Sequence, residues 1–98
     1  MVSSAAFKVS SAVIFNTVQA ERARFLEYCR ESSNEEVVVD LETLEHCDSA
    51  GLAFLIEVKR IAQENGRVSK IINMPEETQA LAEFYGISAL LGATDIRA

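Results

Sequence analysis

Hydrophobic and polar positions fall into alternating blocks along the chain. From Phe7 to Phe15 apolar residues mix with small polar ones, and Val13-Ile14-Phe15 is the strongest β-forming piece. This predicts one strand, with a frayed edge segment ahead of it. Asn16 and Thr17 are cap-type residues, and Gln19 follows Asn16 at capping-box spacing, so a helix should start there. Over residues 18–30 Val18, Phe25, Leu26 and Cys29 recur at helical spacing, with Glu21, Arg22, Arg24 and Glu27 between them. Ser32-Ser33-Asn34 then breaks the pattern.

Val37-Val38-Val39-Asp40-Leu41 is a β-branched run without alternation, as a strand buried on both faces of a parallel sheet requires. Residues 49–65 return to helical periodicity, and Gly66 stands where a left-handed residue would end that helix. Residues 68–72 predict a second short buried strand, ended by Asn73-Met74-Pro75. Pro75 at a first helical position, followed by Glu76-Glu77, predicts a third helix whose acids complement its dipole. Gly86 stops it, residues 87–91 return apolar groups to the core, and residues 92–98 form a final strand or a tail. The order β-α-β-α-β-α with short connections predicts an α/β fold with a mostly parallel sheet and helices packed on it. Parallel pairing needs crossover helices, and the helical blocks supply them.

Composition narrows the class. Ninety-eight residues, about half of them hydrophobic, predict a single domain over 1–98 with one core. Nine basic and fifteen acidic residues leave a net charge of −6 without a Lys/Arg cluster. That argues against nucleic acid or an anionic membrane as partner and for a basic protein surface. Cys29 and Cys47 lack CxxC spacing and read as small apolar side chains in a reducing compartment, the cytoplasm. Neither a leader pattern nor a stretch of transmembrane length is visible, so no direct membrane insertion is expected.

The most informative stretch is Cys47-Asp48-Ser49-Ala50-Gly51-Leu52, a turn opening onto a helix. Asp48 or Ser49 can act as N-cap. A phosphate on Ser49 would gain from the helix N-terminus and be repelled by Asp48, so Ser49 is a candidate phosphorylation site. Strand-turn-helix with an exposed serine is also how hydrolases of the G-x-S-x-G type present a nucleophile. Here Cys47 replaces the first glycine, and His46, the one histidine, is poorly placed on the same turn to act as base. No catalytic residue is assigned. His46 and Cys47 are too few for a metal site, Asp40, Glu42, Glu45 and Asp48 read as solvated loop ends, and no Gly-rich phosphate loop is present, so no cofactor is expected. On a helical wheel Gly51, Phe54, Leu55, Val58, Ile61 and Ala62 face the sheet, while Ala53 and Ile56 lie among polar residues on the outer face. Greasy positions beside a functional loop suggest docking.

The segment VVVDLETLEHCDSAGLAFLIEVKRIAQENG, residues 37–66, resembles the STAS domain, in which a buried strand ends in a D-[ST]-x-G-[LI] turn before a helix. Asn73-Met74-Pro75, with Ala80-Leu81-Ala82-Glu83-Phe84-Tyr85-Gly86-Ile87, is similar to the ending of its MlaB branch. The resemblance covers about residues 9–91. It implies a STAS fold and a small cytoplasmic subunit, peripheral to the inner membrane, that binds the ATPase (MlaF-like) of a phospholipid ABC transporter with an MlaE-like permease and serves outer-membrane lipid asymmetry. Ser49 then matches the family's Ser/Thr position, at the centre of a partner-binding surface of Asp48, Ser49, Ala50, Ala53 and Ile56. The class-distinct alternative is an anti-sigma factor antagonist switched by phosphorylation of Ser49. One departure stands out: the family's N-terminal hairpin carries a Gly where this chain has Ser11. The first strand is therefore expected to be short, missing or supplied by a partner.

Overall fold

The computed structural model describes residues 6–92 and the backbone of 94–96. In chain order the elements are β1 (Phe7–Lys8), β2 (Ala12–Val13), α1 (Val18–Glu31), β3 (Glu36–Asp40), β4 (His46–Cys47), α2 (Ser49–Glu64), β5 (Val68–Met74), α3 (Glu76–Phe84), a 3-10 turn (Ser88–Leu91) and β6 (Thr94–Ile96). Four strands form a parallel sheet in the order β1-β3-β5-β6, and β2 pairs with β4, also in parallel. This is the mixed α/β architecture of a STAS domain. The final strand expected over residues 92–98 is present as β6; residues 93, 97 and 98 lie outside the described residues.

The core is apolar and continuous. Val37 and Val39 of β3, Ile71 and Met74 of β5, and Phe54, Leu55, Val58 and Ile61 of α2 are all buried. The predicted inward arc of α2 is the buried one, and Gly66 (φ +72°) and Gly86 (φ +73°) end α2 and α3 in the left-handed conformation.

Several expectations need correction. The N-terminal strand is split in two, and β2 stops at Val13, so Ile14-Phe15 is not strand. The cause is local: the Thr17 hydroxyl accepts from the Ile14 N–H (3.0 Å) and donates to the Ala12 carbonyl (2.9 Å), turning the chain before a ladder can continue. The same engagement leaves α1 without a side-chain cap, so the Asn16/Gln19 capping box does not form. Glu21, placed on the polar side of α1, is 3% exposed. Its carboxylate accepts from the Ser10 N–H (2.9 Å), the Ser10 hydroxyl (2.8 Å) and Arg24 (2.8 Å). Arg24 also lies 4.6 Å over the Phe7 ring. The acid thus holds the edge segment of the sheet. β5 runs two residues further than expected, and of residues 68–72, expected to be buried, only Ile71 is: Val68 and Lys70 are exposed, Ser69 and Ile72 half-buried. Pro75 sits one position before α3 with extended backbone (ψ 146°), as its N-cap rather than its first helical residue.

Candidate docking site

Asp48 and Gly51 build the start of α2, each for a separate physical reason. The Asp48 carboxylate accepts from the Gly51 N–H through Oδ1 (3.0 Å) and from the Phe15 N–H through Oδ2 (3.0 Å). It is therefore both the cap of α2 and a bridge to the turn between β2 and α1. The Phe15 N–H, with further help from the Gly51 N–H, lowers its pKa, so the carboxylate stays ionised. At Gly51 a Cβ would stand 2.1 Å from the Val13 carbonyl oxygen and 2.7 Å from the Cys47 sulfur. Glycine is required there by close approach of the helix to β2, not by an unusual φ.

Ser49 is accounted for by neither demand. It is the first residue of α2, exposed, and its hydroxyl has no hydrogen-bond partner among the described residues. The capping role considered for it belongs to Asp48. Nothing in the local fold needs a hydroxyl at this position.

The flanking residues offer little chemistry. His46 is exposed on β4, and no hydrogen bond joins it to Ser49 among the described residues. Burial, and then the Asp48 charge, push the Cys47 thiol up to about 11, which keeps it protonated and a poor nucleophile at neutral pH. Among the described residues no group of three or more His, Cys, Asp or Glu could hold a metal ion. Asp40, read as a solvated loop end, is 8% exposed; its Oδ1 accepts from the Glu42 N–H (2.9 Å) and the Asn73 amide (3.0 Å), which makes it a structural tie between the ends of β3 and β5.

The five residues singled out from the sequence lie together at the N-terminal half of α2. Ser49 and Ala53 are exposed, while Asp48, Ala50 and Ile56 are half-buried. Ala50 and Ala53 line a groove of about 530 Å³ between α1 and α2, whose other apolar walls are Phe15, Val18 and Phe54. Arg22 and Glu57 line it as well, joined by an ion pair of 2.7 Å. Glu57 also pairs with Arg60 (2.6 Å), and these guanidinium groups, Arg22 first, lower its pKa.

The α1 side of the groove was missed by sequence reasoning. Phe15 reads as the end of a strand, yet it lies in a turn and is 76% exposed. The available signal was Asn16-Thr17 directly after it, since cap-type residues imply that the chain has already left the sheet.

A family model described as "Mlab, STAS domain" matches residues 3–92. No curated protein matches the chain. Among the described residues no helix is long and apolar enough to cross a membrane.

Proposed function

Because the chain belongs to the STAS domain family of the MlaB type, we propose that it is a regulatory subunit that binds the ATPase of a phospholipid ABC transporter. Membership supports an Mla-associated, non-catalytic role in general terms, and domains of this family are generally non-enzymatic. The finer reading has the start of α2 dock onto an MlaF-like ATPase. That contact holds the subunit at the cytoplasmic side of an inner membrane beside an MlaE-like permease, in the service of outer-membrane lipid asymmetry.

The observation that carries this reading is Ser49. It is exposed, unneeded by the fold and set among small apolar neighbours, as a contact residue would be. Docking through small residues lets a partner backbone approach closely. Ala53→Arg is then expected to abolish co-purification with the ATPase without altering the fold, because the side chain points into solvent. Wild-type recovery of the ATPase by Ala53→Arg would remove α2 from the interface.

The phospho-switch reading draws on the same exposed hydroxyl at a helix N-terminus. The ionised Asp48 carboxylate beside it works against a second negative group. Capture of an anti-sigma kinase together with phosphorylated Ser49, read by mass spectrometry, would favour the switch over the transporter subunit.

A further inference from the structure

Resting on the ATPase-docking reading, we infer that Phe15 is the aromatic anchor of that face, that Asp48 is the residue that positions it, and that the groove beside Phe15 takes apolar side chains of an ATPase helix carrying a basic residue toward Asp48. Phe15 belongs to α1's entry turn, outside the serine motif, so the interface is composite.

Three features lead there. Phe15 is 76% exposed, although apolar surface of this size is normally withdrawn from water. Phe84 and Tyr85, also exposed, pack on one another with centroids 5.4 Å apart, whereas the Phe15 ring borders an open, mostly apolar groove. Its backbone is held from two sides. Asp48 Oδ2 takes the Phe15 N–H, and the Thr17 hydroxyl takes the Ile14 N–H just before it. A ring carried on a pre-ordered turn needs no further backbone ordering on binding, which favours it as an anchor.

Charge selects the occupant. Asp48 does not line the groove itself, but its carboxylate is tied to the Phe15 N–H (3.0 Å) and has no cation partner among the described residues. Glu57, which does line it, is already satisfied by Arg22 and Arg60. A basic side chain beside the partner's apolar ones therefore finds its complement at Asp48, on a chain whose net charge is −6.

The test compares wild type, Phe15→Ala, Asp48→Asn and the double variant, each as the full chain, titrated with the purified ATPase subunit while Phe15 and Gly51 amide exchange is followed by NMR. Phe15→Ala should weaken binding about tenfold or more with an unchanged melting temperature, since the ring packs little in the free protein. Asn has one acceptor oxygen where Asp has two, and it caps helices as well as Asp does. Asp48→Asn should therefore keep Gly51 protected, speed exchange at Phe15 and weaken binding. The double variant should bind no more weakly than Phe15→Ala alone beyond the loss of the Asp48 charge, which shows as a reduced salt dependence. Wild-type affinity in Phe15→Ala overturns the anchor while leaving the docking reading intact. Unchanged Phe15 exchange in Asp48→Asn overturns the positioning role. Failure of the wild type itself to bind the ATPase overturns the docking reading, and the anchor with it.

Discussion

At the scale of single residues, the serine turn separates into parts with different duties. Asp48 caps α2, Gly51 admits the helix to β2, and Ser49 does neither. Stability measurements should divide them in the same way. Gly51→Ala drives a methyl into the Val13 carbonyl, backbone that cannot swing aside, and should cost about 1–3 kcal/mol or more in denaturant unfolding. Asp48→Ala should lose about 1 kcal/mol through the cap alone. Ser49→Ala should stay within about 0.5 kcal/mol of wild type, as exposed positions without structural partners do. A large loss from Ser49→Ala would mean that the hydroxyl serves the fold after all, and its assignment to contact would fail.

At the scale of elements, the uneven part of the molecule is its N-terminal edge. β1 contributes two residues to the sheet, too few to hold by ladder hydrogen bonds alone, and the Glu21 carboxylate supplies the missing attachment to Ser10 and Arg24. Glu21→Ala leaves the Ser10 N–H without its acceptor and should destabilise by about 1–3 kcal/mol, with faster amide exchange confined first to residues 7–10. Glu21→Gln keeps an acceptor and should be milder; equal losses from the two would point to packing instead of hydrogen bonding. This edge is also where periodicity was least informative. α2 was legible because the six positions Gly51, Phe54, Leu55, Val58, Ile61 and Ala62 recur at helical spacing, and β3 because three consecutive valines suit a buried strand. Glu21 was not, since its burial depends on a partner eleven residues away, and helical spacing says nothing of that. Phe15 escaped for a related reason: one hydroxyl, Thr17, ends the strand two residues before the apolar run does. The candidate site was accordingly half legible. The α2 side followed from a motif and a helical wheel, while the α1 side depends on how a turn folds against Asp48.

At the scale of the whole molecule, these local environments combine into a pH profile of stability. Asp48, whose pKa is lowered chiefly by the Phe15 N–H, and Glu57, lowered chiefly by Arg22, bind protons less readily folded than unfolded. Their contribution is complete above ordinary carboxylate values and fades as pH falls through the folded ones. The alkaline limb has the opposite origin. Burial raises Cys47, Cys29 and Tyr28, so the folded chain keeps protons that the unfolded chain releases, and stability declines as pH rises. For Cys47 the window runs from its ordinary value near 9 to about 11, and a displacement of this size corresponds to a loss of at most about 3 kcal/mol. Unfolding free energies across that window should therefore fall with pH in the wild type and fall less in Cys47→Ala. The slope decides the matter, because removing the sulfur also changes packing and shifts the whole curve by a constant. Parallel slopes would show that the Cys47 thiol ionises as readily in the folded chain as in the unfolded one, and would remove the ground for treating the serine turn as closed to thiolate chemistry.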